Sequence, residues 1–185
     1  KALGPVTPVL PEKLDLTLLA QRLKAAASGG QAAPTPEAFL RVNWPEAVAQ
    51  GNAARGRQLF ESLACGKCHA AESDQAATVG PSLAEANRRF TVAQLVEAIL
   101  LPNQQVSPTF RQSLLTTRDG STIAGLIVSE TGEQLELVQP DTTRKTILKT
   151  SIAERKVLDF SPMPAGLVAS PDLLRDLLAY LLAPR

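Results

Sequence analysis

The sequence predicts a mainly α-helical protein with an antiparallel β-meander of three to four strands inserted before its last helix. In the first half of the chain and again near its end, apolar residues recur with the helical period of 3.6. Between about residues 110 and 150 the period changes to two, and turn dipeptides separate the alternating runs. With 185 residues, 44% of them apolar, the chain can bury a substantial core.

Residues 1–50 are expected to form a short helical N-terminal extension or linker with one or two helices. Helical periodicity covers residues 12–27, and a Ser-Gly-Gly stop and a proline-containing linker follow it. A second short helix is expected from Pro36, with a turn near Trp44. The Trp44 side chain would either pack against the following domain or contact a cofactor directly.

Residues 51–185 are expected to form the main domain, whose helices carry clear capping signals. Asn52, Thr91 and Ser170 each precede a helical pattern and have side chains that can accept a hydrogen bond from the first turn. Gly56 lies inside the first of these helices, where a close helix crossing would explain it. The three helices are expected at residues 53–63, at residues 92–101 and from Pro171 onward.

The predicted β insert follows these helices, and its turns are typical of hairpins. Asp119-Gly120 and Thr131-Gly132 separate runs in which apolar and polar residues alternate. The expected strands lie at residues 112–117, 121–129, 134–139 and, as a possible fourth, 144–149. Residues 152–157 carry helical signals, so the meander is expected to end before them.

The strongest chemical signal is the pentapeptide Cys65-Gly66-Lys67-Cys68-His69. It contains the only two cysteines and the only histidine of the chain. The spacing C-x-x-C-H is that of a c-type haem attachment site, in which each thiol is joined to one vinyl group of the porphyrin. The adjacent histidine is then the proximal ligand of the iron.

Two other interpretations of this pentapeptide remain open from the residues alone. A C-x-x-C pair can be a dithiol redox site, but such sites lie in a βαβ context that the surrounding pattern does not indicate. The pair can also belong to a structural zinc site, which needs four ligands. The two cysteines and His69 supply three of them, so a carboxylate would have to be the fourth.

Met163 is the candidate for the second axial ligand. It is the only methionine and stands between Pro162 and Pro164, which restrict the backbone around it. A thioether suits low-spin haem iron, although a lone methionine can also simply fill a core. His/Met ligation favours an electron carrier rather than an enzyme. A displaceable sixth ligand would favour a haem peroxidase or gas-binding sensor, and a third possibility is a purely structural haem module.

An ordered series of six motifs gives a more specific resemblance. Its motifs are Gly56/Leu59/Phe60, Cys65 to His69, Gly80-Pro81-Ser82-Leu83, Asp119-Gly120 with Gly125, Ser161 to Pro164, and Asp176 to Leu181. The series resembles class I cytochrome c and, more narrowly, the haem-binding domain with a β insert that occurs in planctomycetes and verrucomicrobia.

This resemblance implies a class I cytochrome c fold with one haem c per chain, linked to Cys65 and Cys68 and ligated by His69 and Met163. It also implies that the Pro81 carbonyl accepts a hydrogen bond from the His69 ring. The location implied is periplasmic or otherwise exported, and the implied partner is a redox protein or a fused dehydrogenase domain. The formal net charge of +1 gives no argument for nucleic acid as a partner. The sequence contains no run of eighteen apolar residues, so it predicts no membrane span.

Overall fold

The computed structural model describes residues 36–75 and 79–184, so the helix expected at residues 12–27 lies outside the described part. Short 3₁₀ turns at Cys65–Lys67, Pro108–Phe110 and Lys149–Ser151 link some of the regular elements. The α-helices of the described residues are α1 (Pro36–Leu40), α2 (Trp44–Ala49), α3 (Ala53–Ser62), α4 (Ala86–Arg89), α5 (Val92–Leu100) and α6 (Pro171–Leu181).

The capping predictions for the three longest helices are confirmed. The side chain of Asn52 accepts a hydrogen bond from the backbone of α3, and Ser170 does the same for α6, whose first residue is Pro171. Thr91 forms a full capping box with Gln94 at the start of α5. A turn was expected near Trp44, but helix α2 begins at this residue. Pro45 then lies in the first helical turn, where proline is well tolerated.

Five helices share one hydrophobic core, which we call the helical core; its fully buried residues include Val96 of α5 and Leu174 and Leu178 of α6. Phe39 and Trp44 are buried in the same core, and the Trp44 indole N–H donates to the Phe39 carbonyl at 3.1 Å. The described residues before position 51 therefore pack onto the main domain through Phe39 and Trp44.

The crossing of α3 and α6 is close, as Gly56 predicts. A Cβ on Gly56 would overlap the backbone carbonyl of Asp176, so only glycine permits this approach. The rings of Phe60 and Tyr180 meet across the same crossing, with their centroids 5.7 Å apart. This contact brings together two helices that are far apart in the sequence.

The buried carboxylate of Asp176 joins the same two helices. It accepts a hydrogen bond from the Asn52 amide at 3.0 Å and lies 2.6 Å from Arg55 and 2.8 Å from Arg175. Burial by itself would raise the pKa of Asp176. The hydrogen bonds from Arg175 and Asn52, with the charges of both arginines, outweigh it and hold this pKa below its ordinary value.

The β segment is a five-stranded antiparallel sheet with the order β4-β3-β2-β1-β5. Neighbours in the sequence pair from β1 to β4, and β5 then returns to pair with β1. The strands are β1 (Ser113–Thr117), β2 (Thr122–Glu130), β3 (Gln134–Val138), β4 (Arg144–Leu148) and β5 (Ile152–Val157).

This sheet must be strongly curled. Four inter-strand steps of about 4.8 Å would put the edge strands β4 and β5 about 19 Å apart in a flat sheet. Only the 3₁₀ turn Lys149–Ser151 joins them, and the path from Leu148 to Ile152 spans at most about 15 Å even when extended. The curl encloses a second cluster of buried residues, which consists of Leu115, Leu135, Leu137 and Ile147.

The mainly α fold class, and with it the class I cytochrome c fold that the resemblance implied, is wrong for this chain. The described residues form six α-helices beside a five-stranded sheet, which is an α+β arrangement. The first four strands lie close to their predicted positions. The segment Ile152–Val157, which was expected to be helical, is β5, because its backbone finds hydrogen-bond partners on β1. The sheet consequently has one strand more than expected and extends past residue 150.

Candidate haem-binding site

The attachment pentapeptide begins where α3 ends. The helix closes at Leu63, and Ala64 then adopts a left-handed conformation with φ of 58°. This conformation is unfavourable for a residue with a Cβ and turns the chain sharply. The Cys65–Lys67 3₁₀ turn follows, and the Cys65 carbonyl accepts from the backbone amides of Cys68 and His69 at 3.1 and 3.0 Å. The pentapeptide is therefore a compact, internally bonded turn.

The two cysteines are free thiols that contact different layers of the protein. Cys65 packs against the helical core. Cys68 packs against a third apolar cluster, which we call the covering cluster and which consists of Val79, Phe110, Leu126 and Val138. Leu126 and Val138 are directly paired residues of β2 and β3, so the sheet covers the Cys68 side of the site.

Burial raises the pKa of both thiols. For Cys65, a backbone hydrogen bond opposes this effect and the neighbouring Cys68 adds to it; for Cys68, the charge of Lys67 opposes it. A raised pKa disfavours the thiolate, which is the reactive form in dithiol redox sites. All strand pairings of the described residues are antiparallel, so this part of the chain has no βαβ unit around the pair. The dithiol interpretation loses its two main supports.

His69 is held by its Nδ1 atom. This atom lies 2.8 Å from the Pro81 carbonyl oxygen, as the resemblance implied. A carbonyl only accepts, so Nδ1 donates and the lone pair of a neutral ring is on Nε2. Burial lowers the pKa of His69, while the bond to Pro81 opposes that shift, and the ring is accordingly neutral at pH 7. Within the described residues, Nε2 has no hydrogen-bond partner.

Gly80 is needed for this placement of the imidazole. A Cβ at position 80 would lie 2.6 Å from Cε1 and 2.7 Å from Nδ1 of His69. The Gly80 amide donates to the Cys68 carbonyl at 3.1 Å, so the segment that presents Pro81 is tied to the pentapeptide itself. One short backbone contact thus fixes both the position and the tautomer of the ring.

Met163 is partly buried and packs against the helical core, the same core that Cys65 contacts. Its backbone amide donates to the Ser161 hydroxyl at 3.1 Å, and the Ser161 amide donates to the side chain of Asn103 at 2.7 Å. The structure therefore brings Cys65 and Met163 to one core, Cys68 to the covering cluster, and His69 to Pro81.

Several residues of the site are not evident from its motifs. The covering cluster was missed, although Leu126 and Val138 could have been found from the alternation of the predicted strands. Asn103 was missed as well, because an isolated asparagine after a helix carries no distinctive signal. Of the basic residues near the site, Arg88 pairs with Glu85 at 2.9 Å and Arg89 donates to the Ser82 carbonyl at 3.0 Å. Both guanidinium groups thus have local partners.

The donor set fits haem better than zinc. No three His, Cys, Asp or Glu side chains among residues 36–75 and 79–184 come together in a way that could hold a metal ion, which a tetrahedral zinc site requires. A covalently attached haem instead needs two thiols at the C-x-x-C spacing, one available imidazole nitrogen and, for low-spin iron, a second soft ligand. Cys65, Cys68, His69 Nε2 and the Met163 thioether supply these groups.

Comparison of the chain with models of protein families found no match, and comparison with curated proteins found none either. Within the described part of the chain, no helix combines the length and the apolar character needed to cross a membrane.

Proposed function

We propose that this chain is a c-type haem-binding domain that carries single electrons. The observation that supports this most is the contact between His69 Nδ1 and the Pro81 carbonyl, because it leaves the lone pair of a neutral imidazole on Nε2, in a residue that directly follows two free thiols at the attachment spacing. The ordered motifs of the sequence support the same proposal.

Each residue has a separate task in this proposal. Cys65 and Cys68 would hold haem through thioether bonds, and His69 Nε2 would be the proximal ligand. Pro81 and Gly80 orient that ring, and Met163 would be the distal ligand. When bound, the haem iron supplies a one-electron couple.

The protein supplies the surroundings that tune this couple. The helical core lies beside Cys65, and the covering cluster lies beside Cys68, so apolar side chains flank the attachment turn on both sides. A low local dielectric and a thioether ligand both favour the reduced iron and raise its potential. The proposed donor or acceptor is a redox protein or a fused dehydrogenase domain, and the proposed location is the periplasm or another exported compartment.

The test is the visible spectrum of protein produced with a c-type maturation system, measured oxidised and then reduced with dithionite. The proposal predicts sharp reduced α and β bands and a weak far-red sulfur-to-iron band in the oxidised form. Haem should remain on the chain after denaturation and should be lost from a Cys65→Ser/Cys68→Ser variant.

A Met163→Ala variant separates electron transfer from ligand chemistry. We expect it to lose the far-red band and to have a lower reduction potential, since one axial ligand is removed. A wild-type protein that is high-spin and binds carbon monoxide readily would instead indicate a peroxidase or gas sensor. Absence of haem bands after maturation would end the proposal.

A further inference from the structure

Two hydrogen bonds join the segment that carries Met163 to the rest of the molecule. At its start, the Leu158 amide donates to the Gln112 carbonyl at 2.8 Å, where β5 leaves the sheet. Further along, the Ser161 amide donates to Asn103 Oδ1 at 2.7 Å, and the Met163 amide donates to Ser161 Oγ at 3.1 Å. The bond to Asn103 uses that residue's side chain and connects positions that are 58 residues apart.

From this hydrogen-bond chain we propose that Asn103 is a positioning residue for Met163, acting through Ser161. The inference rests on the proposed function, in which the Met163 thioether is an iron ligand. In this role Asn103 would act on the backbone that carries the thioether, through its bond to the Ser161 amide.

These hydrogen bonds use every backbone N–H group of the segment from Ser161 to Pro164. Between Ser161 and Pro164 there are only two amide N–H groups, those of Ser161 and Met163, because Pro162 and Pro164 have none. Asn103 accepts from one and Ser161 accepts from the other. No helix or strand includes this segment, so its path is defined by these two bonds, the restricted proline angles and the packing of Met163 against the helical core.

Asn103 is itself attached to a rigid part of the fold. It follows the buried pair Leu101 and Pro102 at the end of α5, and the Gln104 amide closes the turn onto the Leu101 carbonyl at 2.9 Å. Because α5 packs in the helical core, the bond to Ser161 transmits the position of that core to Met163. Cys65 packs against the same core, so the positions of Cys65 and Met163 both depend on the helical core.

The test compares Asn103→Ala, Asn103→Asp and Ser161→Ala with the wild type in the mature haem protein. Three properties are measured: the far-red band of the oxidised form, the reduction potential, and the affinity of the oxidised form for imidazole, which competes with the thioether. Losing one hydrogen bond should favour displacement of Met163 by about two- to tenfold. Asn103→Ala and Ser161→Ala should therefore bind imidazole more tightly by about that factor and lose far-red intensity.

Asn103→Asp keeps an acceptor oxygen at the same place, so it should stay within about twofold of the wild type, less than the loss of a hydrogen bond. The double variant Asn103→Ala/Ser161→Ala should resemble either single one, because both substitutions interrupt the same chain. Asn87→Ala, a change at an exposed position of α4, is the control and should alter none of these properties.

The outcomes separate this inference from the proposed function. A wild type without the far-red band overturns both. A wild type with the band and an Asn103→Ala variant with unchanged imidazole affinity and potential overturns the inference alone, as does an Asn103→Ala variant that only melts at lower temperature. If Asn103→Ala does not mature, Asn103→Leu, which also removes the acceptor oxygen but keeps a side chain of similar size, provides the same comparison.

Discussion

At the scale of single residues, the position of the His69 ring depends on what its neighbours lack. Gly80 lacks a Cβ, and Pro81 lacks an N–H, so the segment can come close to the ring while offering it only an acceptor. An acceptor at Nδ1 leaves Nε2 with its lone pair, the form of imidazole that metals bind. His69 and Pro81 are twelve positions apart in the sequence. The hydrogen bond from the Gly80 amide to the Cys68 carbonyl brings their two segments together.

Gly80→Ala tests this arrangement. The added methyl group would have to displace the imidazole, so we expect loss of the bond to Pro81 and a cost of about 1–3 kcal/mol in the free energy of unfolding. The reduction potential should also change, because the ring would be reoriented. Denaturant unfolding and redox titration measure the two effects. Gly132→Ala is a matched control, since a Cβ there meets nothing within 4 Å; equal effects of the two substitutions would contradict this explanation.

At the scale of elements, helices were predictable where their signals are local. Asn52, Thr91 and Ser170 cap α3, α5 and α6 as expected, because a cap needs only the next three residues. Strand β5 was not predictable in the same way. Five of its six residues are exposed, so it has no apolar alternation to read, and its partner β1 lies about 40 positions earlier.

The two faces of the sheet have different tasks. Leu135 and Leu137 belong to the cluster that the curl encloses, whereas Leu126 and Val138 belong to the covering cluster beside Cys68. Alternation along the strands assigns residues to two faces, but it does not say which face meets another element. This is why the sequence predicted the hairpins and the attachment motif separately, without their contact.

Leu126→Ala and Leu135→Ala form a matched pair for these faces. Both leucines are buried, and each substitution should cost about 2–5 kcal/mol in unfolding free energy. Only Leu126→Ala opens the Cys68 side to water, so only that variant should lower the reduction potential, since a wetter site favours the oxidised iron. Redox titration of the two variants checks this, and equal potentials would show that the sheet does not tune the site.

At the scale of the whole molecule, Asp176 connects the beginning and the end of the main domain. Its contacts with Asn52 and Arg55 are made across the α3–α6 crossing. Because the folded-state pKa of Asp176 is below its ordinary value, the carboxylate stabilises the folded protein at any pH above its unfolded pKa. This stabilisation decreases as the pH falls from about 4 through the folded-state pKa.

Asp176→Asn should therefore destabilise the protein in a pH-dependent manner. At pH 7 we expect a loss of about 1.5–3 kcal/mol, the range for hydrogen bonds to a charged group. The difference from wild type should shrink as the pH falls from about 4 through the folded-state pKa, because the wild-type carboxylate then becomes protonated. Urea unfolding at several pH values measures it. Asp172→Asn, on the exposed side of the same helix, should have little effect at any pH; a constant difference for Asp176→Asn would contradict the assigned pKa.

The α3–α6 crossing also sets an order of events during folding. The Asn52–Asp176 bond joins positions 124 residues apart, whereas most pairings of the sheet join adjacent strands. Closing a long loop costs more entropy and is slower, so the hairpins form early and the crossing forms late. The chain is also synthesised from its N-terminus, so Cys65–His69 emerges well before α6. During that interval Cys65 is not yet packed against the helical core, so the proposed haem attachment would be least obstructed then.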